Sequence, residues 1–238
     1  MISDRMAKIL QLLRTDAWSD AVANAAELLG VDGISVSAGS GPGVAEILWS
    51  SGAVSDGFED LQITLGQGPG PDSLAAGTAV RVHDLARVRE DRWPGLVAEA
   101  SLLAVQAVFC FPLRIGAITL GVLTLVRSVP GPLTVVQGDD ASALAAALTK
   151  RVLDLGFPLL SSPDDEGQVF HHAVLHQATG MVSVQLSVPL AEALLRLRAH
   201  AYSNNLNLTD TARDIVARRL RLAPELPPTN VIDDADED

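Results

Sequence analysis

Between residues 170 and 222 the apolar side chains recur at helical spacing in three consecutive runs, and only Phe170 and Tyr202 among them are aromatic. Counting 100° per residue from Phe170 puts Phe170, Ala173, Val174, Gln177 and Met181 on one face, as far as a break at Ser187, Val188 and Pro189. A second stripe, Leu190, Ala193, Leu194, Leu197 and Ala201, runs from Pro189 to the pair Asn204 and Asn205. Thr209 can cap a third helix with Asp210 in its first turn, where a negative charge suits the helix dipole, and with Ala212, Ile215, Val216 and Leu220 inside. Stripes so rich in alanine bury one another only by close helix packing, so the segment is expected to form a small three-helix bundle.

A chain of 238 residues has room for one or two domains, and 48% hydrophobic against 19% charged residues describes a globular protein. The net charge of −12 argues against a nucleic-acid partner when taken as a total, but the charge is unevenly placed. Residues 167–223 hold six arginines against three acids, whereas 224–238 hold six acids and no base. The end of the chain, acidic from Asp233 to Asp238 after Pro224, Pro227 and Pro228, is expected to be a disordered tail that aids solubility or acts as a weak decoy for the basic segment. The single cysteine, Cys110, leaves no intrachain disulfide and no cysteine-based zinc cluster. Residues 1–14 alternate charge with Ile and Leu, unlike a signal peptide. The apolar stretch 102–126 is broken by Gln106, Pro112 and Arg114, and alternates like strands. Together these predict a soluble, cytoplasmic protein with no membrane partner.

Before the bundle the pattern is mixed. Met6, Ile9, Leu12 and Leu13, then Trp18, Ala21, Val22, Ala25, Ala26 and Leu29, follow a helical period up to Gly30. Residues 34–37 and 44–50 read as a hairpin around a glycine-rich turn. Residues 61–65 read as a further short strand running into Gly66-Gln67-Gly68-Pro69-Gly70-Pro71, a fixed irregular loop that lacks the Gly-Lys-Ser/Thr ending of a phosphate loop. A strand at 79–82 precedes a charged, exposed stretch at 87–93. Residues 108–113 and 118–126 read as central antiparallel strands, and 141–155 as a closing helix. The fold class is therefore α+β with one antiparallel sheet flanked by helices, followed by the all-α bundle.

Two family resemblances rest on these residues. The runs Gln177-Ala178-Thr179-Gly180-Met181, then 191–201, then Ala212-Arg213-Asp214-Ile215-Val216 resemble the ANTAR domain of bacterial antitermination regulators, over about fifty residues in order. Thr179 stands where many members have lysine, a departure common in the actinobacterial branch, and it removes one cation from the phosphate contacts. The runs 58–62, Gly66-Gln67-Gly68-Pro69, Val82-His83-Asp84-Leu85, Arg92-Trp93-Pro94, 111–116 and 121–123 resemble a GAF domain of the kind joined to ANTAR domains. Relatives often have Gly-Pro-Cys at the glycine loop, whereas Gly70 stands here, so thiol-dependent sensing at that loop is not expected. The implied organisation is a GAF sensor domain at 1–156, a linker at 157–168 with Pro158 and Pro163, an ANTAR domain at 169–223 and the tail at 224–238.

Catalytic patterns are poor. His172 and His176 stand four apart as zinc ligands can, but no acid accompanies them. His83-Asp84 lacks a nucleophile identifiable from spacing, and one cysteine excludes the thiol mechanism of GAF-type methionine sulfoxide reductases. The only lysines, Lys8 and Lys150, fall on terminal helices, which does not fit a phosphorylated receiver domain. No enzyme, metal or cofactor is expected.

RNA binding has a physical basis, since RNA readers stack unpaired bases on rings or guanidinium planes and hold the backbone with cations. Arg198 and Tyr202 are four apart beside the core stripe, and Arg213 occupies the matching flank of the third helix. Tyr202 also fits a core edge, Arg196 an ion pair with Glu192, and Arg218 one with Asp214. With the positions that the resemblance adds, the candidate RNA-binding residues are Gln177, Thr179, Arg196, Arg198, His200, Tyr202, Arg213 and Arg218. The resemblance implies an RNA-binding antitermination regulator that stabilises hairpins of a leader transcript. The Ala/Leu-rich helices at 6–29 and 141–155 offer the surfaces for a homodimer, and the apolar strands around the glycine loop suggest that the GAF domain takes a small, largely apolar or weakly polar ligand, bound without a covalent link. The alternative is a ligand-sensing GAF protein whose C-terminal helices bind a protein partner.

Overall fold

The computed structural model describes residues 2–14, 18–39, 45–89, 91–155 and 173–222; the expected linker and acidic tail lie outside them. It is a mixed α+β structure around a five-stranded antiparallel sheet: β1 (Gly33–Ala38), β2 (Glu46–Ser50), β3 (Val80–Val82), β4 (Ala107–Ile115) and β5 (Ile118–Arg127), in the order β2-β1-β5-β4-β3. The expected hairpin is the β1–β2 pair, and the expected central strands are β4 and β5.

Successive strand residues face opposite sides, and here both sides are covered. Phe109, Phe111 and Leu113 of β4 and Leu123 and Leu125 of β5 pack under α1 (Asp4–Leu12), α2 (Trp18–Leu29) and α6 (Val135–Leu155). Val108 and Cys110, with Val122 and Val126, face α3 (Ala53–Leu65), α4 (Pro69–Ala76) and α5 (Pro94–Ala100). Burial on both faces explains why β4 and β5 are nearly continuous apolar runs. Ser3 locks α1 to α6: its Oγ accepts from Met6 N and donates to Asp140 Oδ2 at 2.7 Å, and its amide donates to Asp140 Oδ1 at 2.8 Å.

The expected strand at 61–65 is helical. The inner face of α3 is Ser55, Phe58, Glu59, Gln62 and Ile63, a regular helical stripe in which three of five residues are polar. A reading keyed to hydrophobicity sees only the alternating Leu61, Ile63 and Leu65 and takes a period of two. Gly66, at φ 64°, ends the helix in the left-handed conformation, and the irregular loop is shorter than expected because Pro69 already opens α4. Trp93, expected on an exposed stretch, is only 5% exposed, and the Arg92 guanidinium lies 4.0 Å above its ring.

Beyond the gap in the description, α7 (Ala173–Leu186), α8 (Leu190–Ser203) and α9 (Leu208–Val216) pack into a three-helix unit. The inner face of α7 is Leu175, Ala178, Thr179 and Val182, about one position round from the face counted from Phe170. Thr179 can sit inside because its hydroxyl donates to Leu175 O at 2.7 Å. Leu190 is exposed, whereas Ala193, Leu194, Leu197 and Ala201 face inward as expected. Asn207, and not Thr209, caps α9, its Oδ1 accepting from Thr209 N and Asp210 N. No single helix among the described residues is long and apolar enough to cross a membrane.

The three-helix unit is seated on the first: Ile63 of α3 and Ile47 of β2 join its core, and His176 Nε2 lies 3.5 Å from Glu46 Oε1.

The β1–β5 register leaves no room for a side chain at Gly121, where a Cβ would lie 2.0 Å from the Ser37 carbonyl oxygen. Gly121→Ala should cost about 3 kcal/mol and lower the melting temperature by roughly 6–12 °C. A thermal melt at the wild-type temperature would contradict this pairing.

Candidate functional site

On the α3/α4 side of the sheet lies a cavity of about 580 Å³, lined by Ser37, Glu59, Gln62, Gln67, Asp72 and Arg198 among others. Its wall is mixed, with Ile63, Leu74 and Val122 beside polar groups that are held in place. Glu59 is only 4% exposed and accepts from Ser35 Oγ at 2.6 Å and from Gln62 Nε2 at 3.2 Å. Gln62, 1% exposed, in turn accepts from the Gly70 amide at 2.8 Å, at the start of α4. A side chain added nearby would displace the Gln62 amide group, which a Cβ on Gly68 or Gly70 would meet at 2.5 or 3.0 Å.

One wall of the cavity comes from the C-terminal helices. Arg198 of α8 donates from Nε to Ile63 O at 2.7 Å. That carbonyl belongs to the last turn of α3, where acceptors lack intrahelical partners and the dipole end is negative, so a cation fits it on both counts. Room for the guanidinium comes from Gly66, on which a Cβ would lie 2.6 Å from Arg198 Nη1. Burial lowers the Arg198 pKa from its ordinary value. The thiol of Cys110, under the same side of the sheet, is pushed well up by burial and by the Glu59 charge, while its contact with Thr124 Oγ1 works the other way. It is an inert core group.

The candidate RNA-binding residues separate into several places. Arg198 turns toward α3 while Tyr202 stays 57% exposed, so the shared flank expected for them is divided between an interface and open surface. Thr179 is buried, which withdraws it from any contact surface. Arg196 pairs with Glu192 at 2.6 Å as its spacing suggested, and Arg213 with Asp210 at 2.6 Å. Asp214 pairs with Arg219 and not with Arg218, whose backbone is left-handed at φ 61°. Arg218 and Gln177 come together instead, in a groove between α7 and α9 with Met181, Val184, Ile215 and Arg221. His200 is half-buried on α8, its carbonyl accepting from Asn204.

Among the other candidates, His172 lies outside the described residues. Asp84 is engaged in capping the turn at Leu85–Arg87 through Ala86 N at 3.0 Å, and in pairing with Arg87. The residues the sequence reading missed as site components are Glu59 and Gln62; their signal was the polar helical stripe of α3.

No family model matches the chain, and no curated protein matches it. Solved structures similar to it include a GAF domain region of a putative membrane protein from Geobacter sulfurreducens, at 14% identity over 63% of this chain and 97% of that one, TM-score 0.48. The GAF domain of a phosphoenolpyruvate-protein phosphotransferase from Coxiella burnetii aligns at 17% identity over 64% and 96%, TM-score 0.47. A free methionine-R-sulfoxide reductase from Neisseria meningitidis, solved with its substrate, aligns at 18% identity over 63% and 92%, TM-score 0.46.

Removing the Gln62 side chain strips a donor from a buried carboxylate and an acceptor from the Gly70 amide. Gln62→Ala should therefore destabilise the protein by about 2 kcal/mol, read by denaturant unfolding. An unchanged midpoint would mean that Gln62 does not carry these bonds.

Proposed function

We propose that this protein is an RNA-binding transcription antitermination regulator, in which a GAF sensor domain at 1–156 controls an ANTAR domain at 169–223, and that it is not an enzyme. The observation that carries the reading is the surface of the three C-terminal helices. In a chain of net charge −12 they form a locally basic unit, on which Tyr202 is free to stack and Arg213, Arg218 and Arg221 stand exposed. Rings that stack on splayed bases, with cations to follow the backbone, are what a hairpin loop requires. Gln177, Arg196 and His200 extend this surface, and Arg198 joins it only when α8 leaves α3. The motif runs described above supply the family reading, the cavity behind α3 supplies a place for a ligand, and a cytoplasmic location follows from acting on nascent transcripts.

A second reading is favoured by one feature, the apolar groove between α7 and α9 in which Val184 is 82% exposed. There the C-terminal helices would bind a protein partner in place of RNA.

Titration with a two-hairpin leader transcript separates the two readings. Tyr202→Ala should weaken binding by about 1–3 kcal/mol, the range for base stacking on a ring, while the melting temperature stays unchanged because the side chain is exposed. Full affinity in the mutant, or affinity lost only in step with folding, would remove Tyr202 from the site.

The protein is also proposed to be a homodimer through α1, α2 and α6, where Leu12, Val136 and Leu153 are exposed apolar residues. Light scattering at micromolar concentration should give twice the 25.0 kDa chain mass; the mass of a single chain would refute it.

A further inference from the structure

The three-helix unit holds six arginines, and four of them are already engaged: Arg196 with Glu192, Arg213 with Asp210, Arg219 with Asp214, and Arg198 with Ile63 O. The other two, Arg218 and Arg221, are exposed, have no acidic partner among the described residues, and both line the groove between α7 and α9. This groove, of about 660 Å³, also presents Met181, Val184, Ile215 and Leu220, and Val184 is 82% exposed. An open apolar surface beside two unmatched cations suits an extended segment that carries both apolar and acidic side chains. The chain itself delivers such a segment. Leu222, the last described residue, is tied to the groove: its carbonyl accepts at 2.6 Å from Nε2 of Gln185, which lines it. Beyond Leu222 come Glu225, Leu226, Val231 and Ile232, then the acidic run from Asp233 to Asp238. The residues from 223 to 232, when extended, reach at most about 35 Å, against about 21 Å for the 14 residues of α7. Pro224, Pro227 and Pro228 restrict the intervening backbone, so seating it loses less entropy than seating a freely jointed chain.

We propose that residues 225–238 occupy this groove on their own chain, with Leu226, Val231 and Ile232 against its apolar residues and the acids of 233–238 on Arg218 and Arg221. The tether gives this segment an effective concentration that a separate acidic peptide of equal intrinsic affinity lacks, which favours it over a second copy or an unrelated protein. The consequence for RNA rests on the reading given above. The segment covers two of the cations assigned to the transcript, so the apparent affinity for RNA is reduced by the fraction of molecules in which the groove is open.

The test is cross-linking of the full chain with a short bismaleimide, comparing Val184→Cys/Asn230→Cys with Leu195→Cys/Asn230→Cys. Leu195 is 64% exposed on α8 and does not line the groove, and the buried Cys110 is spared. A link within one chain should form about tenfold faster at 184 than at 195. Neutralising the acidic run (Asp233→Asn, Asp234→Asn, Asp236→Asn, Glu237→Gln and Asp238→Asn) should remove most of that preference, which mere nearness along the chain would not lose. The proposal is overturned if 184 links no faster than 195, if the neutralised chain links as fast, or if the links join two chains, which would make a second copy the occupant. RNA titration is read separately. Val231→Ser/Ile232→Ser keeps every acid, so a tighter RNA complex in this variant, by about fivefold, reports release of the groove and not relief of charge repulsion. Unchanged affinity in that variant, where the wild type does bind RNA, overturns the competition. If neither binds RNA, the RNA reading fails while the cross-linking preference still decides the seat of the segment.

Discussion

A carboxylate beneath a sheet is tolerated only when it is surrounded by donors, and Glu59 sets that condition for one side of this fold. An ionised carboxylate removed from water without partners would cost far more than the stability of a whole domain. Ser35 on β1 and Gln62 one turn further along α3 meet the requirement, and Gln62 passes the constraint on to the first turn of α4 through the Gly70 amide. The positions of β1, α3 and α4 are thus tied by a chain of polar contacts, where the opposite side of the sheet is held by packing among Met6, Leu29, Ile34, Phe109, Leu125 and Leu148, with the Ser3–Asp140 hydrogen bonds fastening α1 to α6. The side with this polar chain is the one that encloses the cavity.

The parts of the fold legible in the sequence are those in which burial and hydrophobicity coincide. Strands β4 and β5 were visible because both of their faces are covered, and α8 because Ala193, Leu194, Leu197 and Ala201 are apolar as well as buried. Helix α3 was not, since Ser55, Glu59 and Gln62 occupy its inner stripe and pattern reading counts them as exposed. The same cause displaced the inner face of α7, where Thr179 hides its hydroxyl on its own helix. The cavity was illegible for a different reason. Its lining residues come from β1, α3, α4, β5 and α8, and no local spacing reports that α8 closes against the end of α3. Arg198 and Tyr202 share a helix flank on paper, yet in three dimensions one reaches an acceptor 135 positions away and the other faces solvent.

Charge distribution follows the same division. The acidic excess lies outside the three-helix unit, and within that unit several arginines are already balanced by neighbours, Arg196 by Glu192, Arg213 by Asp210 and Arg219 by Asp214. Exposed pairs of this kind contribute little to stability and are readily exchanged for other anions.

Gly66 belongs to two arrangements at once. Its left-handed backbone stops α3, and its missing side chain is the space into which Arg198 enters. The seat of Arg198 in the joint between the sheet and the helical unit is thus a vacancy, set beside the side-chain contacts of His176 with Glu46 and of Ile63 with the helical core. A side chain at this single position, which also lines the cavity, would alter the seating of α8 on α3, and a search for complementary residues across the joint would pass over it.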